Sequence, residues 1–347
     1  NGTVSNAQNA HLNIDRASQK AIENTASFTN SGEINVGNSA NSGTLGVDNS
    51  STFTNEATGL ILIGRTTSSA FQNNGAGTFT NKGVANFGSV NSIGNYGIVN
   101  LGIVNNNVGA QLIINRCQIA AVDNQATLTN NHEIIIGGIS SAGMIGISNS
   151  DDLTNASTGN IVIDRVTDSG VKNVAGGDFT NNGSVGVGAN QGNSLYGIWN
   201  LGNFINTGNI GLNNTTTYGL WNNSGTFTNS SMVSIGSSNA VGIYGLSNNG
   251  TMVNNGAGSI LIDRSTSAGI YNYSEVGLFN NSSVIGIGGN ASVGSYGIHN
   301  IGTFNNNNGG AIHIDNCSNA GIYVDNKVFN NYANIFIGAS TSTGLYG

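Results

Sequence analysis

Short apolar runs along this chain alternate inward and outward residues, and each run ends at Asn or Gly. Between Asp152 and Asn173 the pattern is clearest, with Leu153-Thr154-Asn155, Ile161-Val162-Ile163-Asp164-Arg165 and Gly170-Val171-Lys172-Asn173 in succession. Alternation with a period of two over four or five residues predicts strands, and the Asn and Gly that bound them predict corners. Three strands and their corners make one coil of a β-solenoid. Degenerate copies at a spacing of about 25 residues fill the whole sequence, so the periodicity predicts about fourteen coils.

Two columns of residues follow from stacking the copies. The first strand places a large apolar residue in nearly every coil, from Val4, Phe28, Phe53 and Phe79 to Phe279, Phe304 and Phe329, which predicts a core ladder. Two places later comes an unbroken Asn column that includes Asn30, Asn55, Asn81, Asn106, Asn130, Asn155, Asn181, Asn206, Asn229 and Asn254. Amides stacked at the inter-strand spacing bond to one another and satisfy a corner that would otherwise bury unpaired polar groups. A further corner Asn follows the third strand, from Asn24 to Asn300, and is continued on this reading by Asn326.

A two-coil period is superimposed. Odd coils end the second strand in pairs such as Asp15-Arg16, Asn115-Arg116, Asp164-Arg165 and Asp263-Arg264, with Gly64-Arg65 a variant. Even coils have Gly there, as in Gly37-Asn38, Gly88-Ser89 and Gly236-Ser237, and place a bulky residue such as Tyr96, Tyr196, Tyr244 or Tyr296 before the third strand. The repeat is therefore about 50 residues, starting near 1, 50, 101, 150, 201, 249 and 301. Alternation keeps like charges about 10 Å apart rather than about 4.8 Å. Each Arg is expected to pack on a Tyr of a flanking coil. The ninth coil, with Asn213-Asn214 and Tyr218, breaks the rule and predicts a local bend or thin spot.

Composition sharpens this picture. Only 7% of residues are charged, yet 37% are apolar and strictly patterned, which favours a fold over disorder. Proline is absent, as a ladder that uses nearly every backbone N–H requires. A net charge of −7 with no Lys/Arg cluster argues against nucleic acid as a partner. No run of 18 apolar residues exists, so membrane insertion by a spanning helix is not expected. The first residue is Asn rather than Met, and the chain reads as one continuous solenoid, residues 1–347, cut from something longer.

Strings such as Gly77-Thr78-Phe79-Thr80-Asn81-Lys82-Gly83 and Gly225-Thr226-Phe227-Thr228-Asn229 resemble the degenerate repeats of filamentous-haemagglutinin-like adhesins, large secreted bacterial surface proteins with right-handed β-helical stalks. The likeness is one of repeat style and covers the whole chain. It implies export to the bacterial cell surface and a role in attachment, or as a spacer or fibre.

Candidate chemistry is sparse. Asp152 and Asp178 fall in one outward column of adjacent coils, a spacing that suits weak ion binding or a glycosidase-like carboxylate pair. His11, His132, His299 and His313 are scattered over coils far apart, which does not assemble a metal site. Cys117 and Cys317 sit about 40 Å apart at the expected coil spacing, too far to bridge, and each reads as a small buried side chain. Trp199, Trp221, Tyr271, His299 and Tyr323 form an outward aromatic column, which is a platform for sugar rings or a covering for neighbouring rungs. Outward Thr-x-Thr pairs such as Thr52/Thr54 and Thr78/Thr80 form an array like those of β-helical ice-binding proteins, interrupted by Ile103, Asn105 and Asp152.

The sequence thus predicts an all-β, right-handed parallel β-solenoid of three strands per coil, about 65 Å long at the usual strand spacing. It reads as a non-enzymatic structural or adhesive fibre section at the bacterial cell surface, needing no cofactor. Its expected partners are further copies of itself, end to end or side by side, or surface glycans. Carbohydrate binding, less readily carbohydrate cleavage, and ice binding are the alternatives.

Overall fold

The computed structural model describes residues 2–192, 194–341 and 344–346. Asn1, taken above as the start of the first repeat, and Gly347 lie outside the described residues. The chain is an all-β parallel solenoid of about 13 turns with three strands per coil, and no helix occurs among the described residues. One coil shows the plan: strands Thr78–Asn81, Val84–Phe87 and Tyr96–Asn100 each pair in parallel with the equivalent strands one coil away. The register is in step along these strands, because a one-residue slip would turn each buried side chain to solvent.

The chain divides into two compact units, Asn1–Thr167 and Asp168–Gly347. In the first unit the core column runs Phe28, Phe53, Phe79, Val104, Leu128 and Leu153, all buried, with Phe28 and Phe53 stacked at 4.6 Å. In the second it runs Phe179, Phe204, Phe227, Met252, Phe279 and Phe304, again buried, with Phe179 and Phe204 stacked at 4.5 Å. Val4 is in register with Phe28 in this column but, in the first strand of its sheet, is 49% exposed.

Each unit carries two buried amide ladders. At the corner after the first strand, Asn6, Asn30, Asn55, Asn81 and Asn106 each donate Nδ2 to the Oδ1 of the next, at 2.8 to 2.9 Å, and Asn106 donates to Asn130. The second unit repeats this from Asn181 through Asn206, Asn229, Asn254, Asn281 and Asn306 to Asn331. The corner after the third strand does the same, with Asn24, Asn49, Asn73, Asn100 and Asn124 in one unit and Asn173, Asn200, Asn222, Asn248 and Asn272 in the other. Asn326 does not continue that ladder. Asn300 pairs with Val324, two residues earlier, and the Asn326 amide reaches Glu275 instead.

The two-coil period has a steric basis. In even coils the corner glycines Gly88, Gly236 and Gly288 have φ of 71–72°, and a Cβ on any of them would lie 1.9 Å from the carbonyl oxygen of Asn115, Asp263 or Asp315 in the next coil. Only Gly fits there. The residues that follow those carbonyls, Arg116, Arg264 and Asn316, also have positive φ, which turns each side chain back along the axis. Arg116 Nη1 donates to Gly88 O at 2.8 Å, Arg165 Nη1 to Gly137 O and Gly138 O at 2.6 Å, and Arg264 Nη1 to Gly236 O at 2.7 Å. The expected packing of Arg on Tyr is therefore replaced by capping of backbone carbonyls. Asn214 and Asn316, which occupy the Arg position in two odd coils, donate to Gly188 O and Gly288 O at 2.6 and 2.7 Å.

The preceding residue works in the opposite direction. Asp263 Oδ1 accepts from the backbone N–H of Asn290 and Ala291 in the following coil, at 3.0 and 3.1 Å. Asp15, Asn213 and Asp315 hold the equivalent N–H pairs, Ser39/Ala40, Ser238/Asn239 and Ser340/Thr341. Asn115 Oδ1 holds the N–H of Ile139. One dipeptide thus staples its coil to both neighbours. The 22-residue ninth coil is absorbed by strand rather than by thinning: Thr215–Asn222 is eight residues long and pairs Tyr218 with Tyr196 and Tyr244.

Candidate functional site

The aromatic column lies on the third sheet of the second unit. Strand register places Trp199, Trp221, Ser247, Tyr271, His299 and Tyr323 in line across successive coils, so Ser247 interrupts the column. A second column stands beside it, three residues earlier in the strand, where Tyr196, Tyr218, Tyr244 and Tyr296 project from the same face. The two interdigitate. Trp199 stacks on Trp221 at 5.1 Å, Tyr218 on Tyr244 at 5.7 Å, and Tyr244 on Tyr271 at 4.5 Å, which bridges the Ser247 gap. His299 is held between Tyr271, Tyr296 and Tyr323 at 4.9, 5.3 and 5.0 Å.

Such geometry is favourable for π systems, whose offset and tilted arrangements contribute about 0.5–1.5 kcal/mol per pair beyond area burial. Lys172 closes one end of the stack with its Nζ 3.9 Å from the Trp199 ring centroid. The rings are half-buried against one another, and Tyr323 and Tyr273 are the exposed members, at 39% and 49%. Trp199 Nε1 is enclosed without an acceptor among the described residues. Burial raises the Tyr218 and Tyr271 hydroxyls above the ordinary phenol value, and lowers His299 despite the opposing charge of Asp325, 3.7 Å from Nε2. The expected Arg–Tyr packing leaves the companion tyrosines out of this column; their spacing of three from the Trp positions is the sequence signal that joins the two.

Asp152 and Asp178 are each exposed at the first position of their strands, Asp152–Asn155 and Asp178–Asn181, and Asp178 accepts from Asn203 Nδ2 at 2.9 Å. Among the described residues no group of three or more His, Cys, Asp or Glu could hold a metal. His11 lies 3.2 Å from Glu33, and His313 stacks on Phe336 at 4.7 Å. Cys117 is buried and donates to Ala142 O at 2.9 Å, and burial pushes its thiol up to about 12. Cys317 is likewise buried and free. The Thr pairs do align, Thr52 with Thr78 and Thr54 with Thr80, before Ile103 and Asn105 break the array.

No family model matches the chain, and no curated protein matches it. Among solved structures it is similar to the crystal structure of a TibC-catalysed hyper-glycosylated TibA fragment, at 13% identity over 99% of this chain and 97% of that one, with a TM-score of 0.38. At that score the likeness is no guide to function.

Proposed function

We propose that the chain is a structural and adhesive scaffold, part of a secreted bacterial cell-surface fibre or adhesin, that acts without catalysis. The observation that carries this reading is the pair of amide ladders in each unit, which fixes two corners in successive coils and holds the outward columns at one repeat spacing. Repeated weak surfaces at fixed spacing give avidity without a single strong site. Beads coated with the full chain should attach to epithelial or glycan-coated surfaces with a steep dependence on coating density. Attachment no better than that of albumin-coated beads at every density would overturn the reading.

A second reading, carbohydrate binding, is favoured by the stacked aromatic face from Tyr196 to Tyr323. Sugar rings stack on such faces through their apolar C–H surfaces. On a glycan array the chain should bind a restricted set of sugars, and Trp199→Ala and Trp221→Ala should weaken that binding about tenfold. Wild-type signal at background across the array would remove it.

A further inference from the structure

In the stapled joints described above, a side-chain oxygen from an odd coil closes a pair of backbone N–H groups in the next coil. The joint between the third and fourth coils has no such oxygen. Gly64 stands where Asp15, Asn115, Asn213, Asp263 and Asp315 stand elsewhere. Counting from the positive-φ glycine, the N–H groups of Val90 and Asn91 after Gly88 match those of Ser39 and Ala40 after Gly37, and those of Asn290 and Ala291 after Gly288. Neither the Val90 nor the Asn91 N–H meets an acceptor among the described residues. Beside Gly64 and these N–H groups there is an open pocket of about 180 Å³, bounded by Glu33, Val36, Leu62, Gly64, Val90 and Asn91, with Val90 itself 72% exposed.

The chemistry of the site follows from the joints that are filled. Successive N–H groups at a turn form a nest that takes an anion, and bonds to an ionised oxygen are roughly twice as strong as neutral ones. Within this chain the nest takes a carboxylate oxygen from Asp15, Asp263 and Asp315 and an amide oxygen from Asn213. The Arg65 side chain donates to Asn38 O on the opposite side, at the joint between the second and third coils. Glu33 borders the far side, but its carboxylate is already engaged by Asn35 Nδ2 at 2.6 Å and lies 3.2 Å from His11 Nδ1.

We propose that this open nest binds a small carboxylate, free or carried on a sugar acid, with one oxygen accepting the Val90 and Asn91 N–H groups as Asp263 Oδ1 accepts those of Asn290 and Ala291. The site lies in the first unit and does not depend on the aromatic stack, so it stands or falls separately from the glycan reading above.

The test is amide NMR on the full chain at pH 7, titrating sodium acetate against sodium chloride at matched ionic strength. Acetate should produce saturable shifts at Val90 and Asn91, and none at the filled nests of Ser39/Ala40 and Asn290/Ala291, which serve as controls in the same molecule. Gly64→Asp should supply the missing oxygen and weaken acetate binding at least tenfold. The substitution is sterically mild, because Gly64 is not in the left-handed region and its added Cβ would meet Asn91 Cβ at 3.2 Å and the Gly37 and Asn91 carbonyl oxygens at 3.6 and 3.7 Å. Glucuronate binding at least tenfold more tightly than acetate, with glucose silent, would identify a sugar acid; equal affinities would identify the carboxylate alone. An absent shift, an equal response to chloride or at the filled nests, or binding unchanged by Gly64→Asp would overturn the proposal. If the variant fails to fold, the contrast between open and filled nests in the wild type decides the question alone.

Discussion

Arg116 and Gly88 form the two halves of one joint. Arg116 Nη1 donates to Gly88 O at 2.8 Å, and the bare Cα of Gly88 leaves space for the Asn115 carbonyl that immediately precedes the arginine. Each residue is intelligible only with the other. The positive φ of the arginine turns its side chain back, and the positive φ of the glycine presents the carbonyl it caps. Two coils are the smallest unit that contains both halves, which is why the repeat is double.

Gly88→Ala should therefore be severe. An L-residue in the left-handed region costs about 1–2 kcal/mol, and the overlap with a backbone oxygen adds to it, for a total of about 3 kcal/mol or more. Gly211→Ala is the opposite case, because an added Cβ there meets nothing within 4 Å and the residue lies inside strand Asn209–Leu212. It should be neutral or stabilising by about 0.5–1 kcal/mol. Amide exchange in the flanking coils measures both, and suits a repeat array better than a single melting curve.

Asn106→Ala tests the amide ladders. Asn106 accepts from Asn81 at 2.9 Å and donates to Asn130 Oδ1 and Glu133 O at 2.8 and 3.0 Å, all in a buried corner. Truncation leaves donors and acceptors unpaired on both sides, and each unsatisfied buried group costs about 1–3 kcal/mol. Protection should fall most in the coils that contain Asn81 and Asn130 and recover with distance from them. Uniform protection loss along the unit, or none, would mean that the ladder is not the local lock described here.

The parts of the fold that were legible in the sequence are those where one residue type recurs at one depth. Phe53 and Phe79 could be stacked from spacing alone, and so could Asn55 and Asn81. The staples were not legible, because the direction of the Arg116 side chain depends on a backbone φ that no pattern of apolar and polar positions records. Asn326 was misplaced for a related reason: it matches the column in type but stands two residues beyond the register position, which Val324 fills. At the site, Trp199 and Trp221 are legible as an outward pair, whereas the tyrosines packed against them project from a different strand position, three residues earlier, where period-two alternation does not place a same-face neighbour.

Cys117 should be inert in the folded protein. Its thiol is buried, donates to Ala142 O, and is pushed up to about 12 by desolvation. Only the thiolate is nucleophilic, so at pH 8 the shift from 9.0 reduces the reactive fraction about 1,000-fold before access is considered. Alkylation by iodoacetamide should follow local opening, with a rate that rises steeply with denaturant. Rapid labelling in native buffer would contradict the placement of this side chain.

His299 links the aromatic stack to pH. Burial among Tyr271, Tyr296 and Tyr323 lowers its pKa below the ordinary 6.5, and Asp325 offsets only part of that effect. The unfolded chain therefore binds a proton more readily than the folded one in the window below about pH 6.5. Above that value both states are neutral at this site and the stabilisation is complete; as pH falls through the window toward the lower folded value, stability is lost. Asp15 also titrates below its ordinary value, but in the carboxylate range, at lower pH than this window. His299→Gln should flatten the fall in stability just below pH 6.5, and Asp325→Asn, which removes the opposing charge, should steepen it. Titration of the His299 ring protons by NMR gives the direct value. A measured pKa at or above 6.5 would show that the Asp325 carboxylate outweighs burial and would reverse the predicted slope.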